Sequence, residues 1–169
     1  MRLDLPVLLV LLALAAAAQN ILPGLPGATL KIPFLTGVAV FYALKRPMPM
    51  ALAAAAGAGW LTDSGGGLPP FCTVSFLGLL ALALRPLRRF LLDGSFAGVV
   101  AAVTAAALLQ AVWQLCVAHL AVAGGWRTTA DLVLVVPAGC LAGGVAYGAG
   151  MLLNRMAGTE KLRGKVESL

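Results

Sequence analysis

Apolar residues are gathered into six stretches, at about Leu5 to Leu22, Ile32 to Leu44, Met50 to Leu61, Phe71 to Leu84, Phe96 to Val122 and Leu132 to Leu153, with short polar or turn-forming segments between them. A helix crossing a bilayer needs about 20 predominantly apolar residues, roughly 17 to 25. The fifth and sixth stretches meet that length unaided, and the second, third and fourth fall short of it. Ile32 to Leu44 stops at Lys45-Arg46-Pro47, and Met50 to Leu61 runs into Thr62-Asp63-Ser64-Gly65-Gly66-Gly67 before Leu68-Pro69-Pro70. Such pieces are either helices lengthened by their polar flanks or broken, re-entrant helices sheltered by protein, the only setting in which irregular backbone is tolerated at membrane depth. Pro23-Gly24-Leu25-Pro26-Gly27 predicts a turn after the first stretch, because proline lacks the amide donor and glycine is entropically costly inside a helix. The pattern predicts an all-α, polytopic membrane protein: a six-helix transmembrane bundle over residues 1–155, with short or broken second to fourth spans. A charged tail, helical or disordered, follows over 156–169.

Composition narrows the class. At 61% apolar and 11% charged residues, with a mean hydropathy of +0.98, a soluble domain would have too little polar surface to cover its exterior. Charge then sets orientation. With a cytoplasmic N-terminus and six crossings, ten of the 12 lysines and arginines fall inside and only Lys31 and Arg127 outside. That bias predicts an inner-membrane protein with both ends cytoplasmic. The net charge of +6 is explained by attraction of the short basic clusters to anionic lipid headgroups. Nucleic acid is not expected as a partner, because no basic stretch is interleaved with stacking aromatics. Arg2, the run from Leu5 to Leu14 and Ala15 to Ala18 before Gln19 also resemble a cleavable signal peptide; cleavage would leave the sidedness of everything downstream unchanged.

Small and polar residues within the stretches mark candidate contacts. Gly139 and Gly143 are four apart, as are Gly144 and Gly148, a spacing that lets two helix backbones approach closely where lipid supplies no hydrophobic drive. That surface faces either a helix of the same chain or a partner. Pro137 is expected to kink the last helix. Gln110 and Gln114 share one face of the fifth helix and can bond across to a neighbour. His119 stands alone among the histidines, and Trp60, Trp113 and Trp126 read as interfacial aromatics. Cys72, Cys116 and Cys140 read as small buried hydrophobes without metal or redox spacing. Asp63, after the short third stretch, is either solvated in an outer loop or drawn into the bundle. If buried it requires a cationic or donor partner, and Lys31 and Arg127 are the cations on its side. No nucleophile loop, HExxH or paired-carboxylate motif appears, so neither enzymatic activity nor a cofactor is expected.

Several of these residues carry a likeness. Tyr42-Ala43-Leu44-Lys45-Arg46-Pro47, then Ala53 to Gly57, then Gly59-Trp60-Leu61-Thr62-Asp63, then Leu68-Pro69 leading to an apolar segment closed by Arg85, resembles the rod shape-determining protein MreD family. The likeness extends through the fifth helix with Gln110 and Trp113 to Pro137 and Asn154-Arg155, and departs from the family at Gly65-Gly66-Gly67. It implies a non-catalytic inner-membrane component of the cell-elongation machinery. The implied partner is an MreC-like bitopic protein and, through it, MreB-like filaments, a RodA-type glycan polymerase and a penicillin-binding transpeptidase. Arg46, Gly57, Gly59 and Asp63, with the glutamines and glycines above, are the candidate partner-binding or structural positions. The alternative is a substrate-binding membrane subunit of an energy-coupling-factor vitamin transporter, suggested by Ala13 and Ala17 in an AxxxA of the first helix. In the orientation argued here that motif sits toward the outer half, away from cytoplasmic coupling partners.

Overall fold

The computed structural model of the chain describes residues 4–21, 32–66, 69–91, 96–121 and 129–166. These residues form six helices: α1 (Asp4–Ile21), α2 (Phe34–Lys45), α3 (Met48–Gly66), α4 (Cys72–Leu91), α5 (Phe96–Ala121) and α6 (Thr129–Val166), and no strand occurs among them. The Pro23–Gly27 segment, Lys31, Trp126 and Arg127 lie outside the described residues.

The shortest helix is the central one. α2, 12 residues long, contacts each of the other five, which form an arc around it in the order α1, α3, α4, α5, α6. Every residue from Leu35 to Leu44 is buried. The outward surfaces of the arc are apolar instead: Leu9 and Leu14 on α1, Leu52 and Trp60 on α3, Leu79 and Leu82 on α4, Leu109 and Val112 on α5, and Leu141, Val145 and Leu152 on α6 are all exposed. A water-soluble helix bundle reverses this arrangement, with polar residues outside. By length and composition α5 and α6 each contain a segment able to cross a membrane, Phe96–Val117 and Leu134–Leu152.

Of the three stretches expected to be short or broken, only α2 is short. The Arg46 amide bonds the Tyr42 carbonyl at 3.0 Å, and Arg46 itself is extended, the conformation proline imposes on the residue before it. Pro47 then accepts the amides of Met50 and Ala51, both at 3.1 Å, and so starts α3. α3 and α4 are unbroken at 19 and 20 residues. Both are lengthened by polar flanks: α3 takes in Thr62 to Gly66, and α4 passes through Pro86 into the basic cluster. α6 is continuous through Pro137 and runs 38 residues, carrying the charged tail to Val166 as helix.

Packing depends on small side chains. Ala51, Ala54, Ala55 and Ala58 are buried on α3, and Ala102, Ala106, Ala138 and Ala142 on α5 and α6. A Cβ on Gly37 of α2 would sit 3.1 Å from the Ala142 carbonyl oxygen, and the Phe41 ring lies against Gly150. Where the surrounding medium is as apolar as the side chains, this close approach supplies dispersion contact in place of a hydrophobic drive.

Candidate functional site

The last turn of α3 and the first of α4 meet at Asp63. Its carboxylate is buried, 9% exposed, and accepts the Thr73 amide through both oxygens, at 3.0 Å to Oδ1 and 3.1 Å to Oδ2. Thr73 is the second residue of α4, where the amide has no partner within its own helix. Asp63 therefore caps a neighbouring helix, and the partial positive charge of that helix end offsets the cost of burying the carboxylate. The donor expected for a buried Asp63 is thus a helix amide.

Three local features hold this geometry. Gly59, one turn before Asp63, lies directly under the start of α4: a Cβ there would come within 2.5 Å of Val74 Cα and 2.6 Å of its nitrogen. Any larger residue would push the two helices apart and lift Thr73 from the carboxylate. Pro69, Pro70 and Phe71 turn the chain sharply, with the Cys72 amide on the Pro69 carbonyl at 3.3 Å and Phe71 at φ 67°. Proline second and a positive φ third is the type II pattern, where glycine is the usual third residue; a phenylalanine there carries about 1–2 kcal/mol of strain. The Phe71 ring sits edge-on to Trp60, centroids 5.7 Å apart, and both rings are largely exposed beside the buried carboxylate.

The same end of the bundle is tied further. Gln19 Oε1 on α1 accepts the Leu35 amide at the start of α2, at 3.4 Å. The Thr36 hydroxyl on α2 donates to Gln110 Oε1 on α5, with both residues buried. Trp113 Nε1, on the next turn of α5, donates to the Cys72 carbonyl at 3.3 Å, and its ring stacks on Phe76. Side-chain bonds thus connect α1 to α2, α2 to α5, α5 to α4 and α4 to α3 in one layer. The Thr73 hydroxyl, fully buried beside this layer, is the one buried side-chain polar atom among the described residues without a hydrogen-bond partner. Thr62, Ser75 and Thr104, by contrast, return their hydroxyls to the carbonyl four residues earlier.

The remaining candidate positions separate. Gly57 is half-buried opposite Leu12 of α1. Arg46, half-buried, closes α2 at the opposite end of the bundle, and Gln114 is half-buried on α5. Gly139 and Gly143 pack on α5, where a Cβ on either would come within 2.9 Å of Thr104 Cα and Val100 Cα respectively. Gly144 meets only the tip of Phe96, at 3.9 Å, and Gly148 has open space. The glycine stripe is therefore two faces: Gly139 and Gly143 pack within the chain, and Gly148 looks outward. Cys116 and Cys140 are exposed and Cys72 half-buried, so the expectation of buried thiols is corrected; they lie among outward-facing apolar residues. Ala13 and Ala17 are exposed on α1. Sequence reasoning missed Thr36, Thr73, Gln19 and the Trp113 bond; for the first three the only signal was a polar residue near the end of an apolar stretch. Among the described residues no three His, Cys, Asp or Glu side chains gather as metal ligands. No protein-family model matches the chain, and no curated protein or solved structure matches it.

Proposed function

We propose that this chain is a non-catalytic, six-span protein of the bacterial inner membrane that serves the cell-elongation machinery in the manner of rod shape-determining MreD proteins. In this reading both ends are cytoplasmic and all six helices cross, with lysines and arginines concentrated at the cytoplasmic face. The apolar outer surfaces of the arc support the membrane assignment. α1 supports a retained first span, since Leu8, Leu12 and Ala15 are buried in the core and Gln19 caps α2.

The observation that carries the functional reading is the Asp63 junction. Gly59, Trp60 and Asp63, which bear part of the resemblance, form one built structure with an exposed aromatic pair at its edge. Its rigidity suits a docking point for an MreC-like bitopic partner, which would connect the chain to MreB-like filaments, a RodA-type glycan polymerase and a penicillin-binding transpeptidase.

The test is copurification from native membranes. Recovery of a bitopic coiled-coil protein, reduced for Asp63→Asn at matched expression, supports the proposal. A stoichiometric small molecule in place of that protein favours the vitamin-transport reading and overturns it. Orientation is checked by a reporter active only in the periplasm, expected to be silent after Arg46, Arg89 or Leu169 and active after Gly66 or Gly125. Activity at Arg46 with silence at Gly66 reverses it.

A further inference from the structure

The outward apolar bands of the arc are of unequal height. On α3 the band runs from Met50 to Leu61, about 18 Å at 1.5 Å per residue. It is bounded by exposed Pro47 and Pro49 below and by buried Asp63 and exposed Ser64 and Gly65 above. On α4 it runs from Cys72 to Leu84, about 20 Å, between exposed Pro69 and Pro70 at one end and exposed Arg85 and Pro86 at the other. The neighbouring flank is taller. The apolar segment of α5 is 22 residues and that of α6 is 19, about 33 and 28 Å, against a hydrocarbon thickness of about 30 Å.

Tilt is the usual remedy when a span is too long for its bilayer, and it makes a short one worse; a short span is met by thinner lipid or by snorkelling flanks. Rotation of the whole molecule cannot serve both flanks at once, because α3, α4, α5 and α6 are packed in one arc around α2. The polar boundary of α3 is also fixed. Asp63 is held on the Thr73 amide, so it cannot extend toward the headgroups as a free side chain would. Ser75, the exposed polar residue within the α4 band, returns its hydroxyl to the Phe71 carbonyl at 2.7 Å and so makes no demand on lipid.

We infer that the α3–α4 flank, apart from the Trp60–Phe71 edge at its end, is a lipid-binding surface selective for short acyl chains, where the bilayer is locally thinned, while the α5–α6 flank takes lipid of ordinary length. This rests on the membrane-spanning reading above. The protein would then stand in the membrane as a wedge, drawing thin bilayer to one side.

The experiment uses the full chain in vesicles of phosphatidylcholine, with native tryptophans removed by Trp60→Phe, Trp113→Phe and Trp126→Phe. One reporter, Leu79→Trp, lies at mid-height on α4, and the other, Val145→Trp, at mid-height on α6; both native side chains are exposed. Quenching by brominated lipids with 14-, 18- or 22-carbon chains gives the relative affinity of each flank for each length. Thermal unfolding in detergent first confirms that each variant keeps the parent's transition. The α4 reporter is expected to favour 14- over 22-carbon chains by at least about twofold, and the α6 reporter to show no such preference or the reverse. Adding Arg85→Leu, which lengthens the α4 band, is expected to move the α4 reporter toward longer chains and leave the α6 reporter unchanged. Quenching at both reporters with the same length preference overturns the inference alone. A shielded α4 reporter beside a quenched α6 reporter means that protein, not lipid, covers the flank, and overturns it too. No quenching at either removes the inference together with the membrane-spanning reading.

Discussion

The α3–α4 and α5–α6 seams solve the same problem by different means. Between α5 and α6 the contact is mainly one of shape: Gly139 and Gly143 let backbone lie on Val100 and Thr104 within the first half of both helices, beside one weak contact of Thr104 Oγ1 with Cys140 Sγ at 3.5 Å. Between α3 and α4 shape is joined to direction. Gly59 brings the backbones together at one end only, and there a carboxylate binds one amide of the other helix. A seam of shape tolerates any chemistry that fits, and a directional seam sets the register of its two helices. Substitutions should therefore separate the two: size should dominate along α5–α6, where Thr104 and Cys140 make only that weak cross-helix contact, and both size and hydrogen bonding should matter at the α3–α4 end.

The largest effect is expected at Gly59. Gly59→Val puts a branched side chain against Val74 backbone, which has no rotamer with which to move aside, and should cost about 3 kcal/mol, the upper end of overpacking penalties. Detergent thermal unfolding reads this directly. A loss within about 0.5 kcal/mol, the range of neutral surface changes, would break the account of this seam. Next comes a matched pair on α6. Gly143→Ile should cost about 1–3 kcal/mol, whereas Gly148→Ile should be neutral or slightly stabilising, since it fills open space and replaces a poor helix former. Equal losses at the two positions would mean that both glycine faces are packed.

Removing the cap tests direction without size. Asp63→Ala is expected to cost about 0.5–2 kcal/mol and to speed hydrogen exchange at the Thr73 amide. Asp63→Asn keeps one acceptor and loses only the charge at the helix end, about 0.3–1 kcal/mol. Equal losses for the two variants would show that charge, rather than the accepted hydrogen bond, sets the seam. The smallest effect is expected between Thr36 and Gln110. A double-mutant cycle with Thr36→Val and Gln110→Leu should give a coupling near 0.6 kcal/mol and below about 1.7, the range for bonds of this kind in membranes.

The six elements were legible because each apolar stretch ends within two residues of proline, glycine or charge, and five of the six helix starts fall within two residues of a stretch boundary. What sequence could not supply was the fate of polar ends. Thr62 to Gly66 reads either as loop or as a polar extension of the third helix, and it is helical, since tertiary contact outweighs propensity. Nor does local pattern distinguish an aspartate solvated beyond a helix from one bound to the next helix; both follow an apolar run. The glycines illustrate the same limit. Gly139 with Gly143 and Gly144 with Gly148 have identical spacing, and only the partner helix decides which pair is buried. Their neighbours hold the clue: Ala138, Ala142 and Ala146 flank the packed face, and Leu141, Val145 and Leu152 the open one.

If all six helices cross as proposed, a helix as short and as enclosed as α2 has a consequence for biogenesis. At 12 residues it falls below the roughly 17 needed to span a bilayer, so in the translocon it is a poor candidate for independent partition into lipid. Its neighbours in sequence, α1 and α3, emerge around it and can hold it in a hairpin, but the surface it presents to α5 and α6 stays uncovered until the C-terminal half is made. Completion of the centre therefore waits for α6, and a nascent chain stopped before α5 leaves its innermost helix open to membrane quality control.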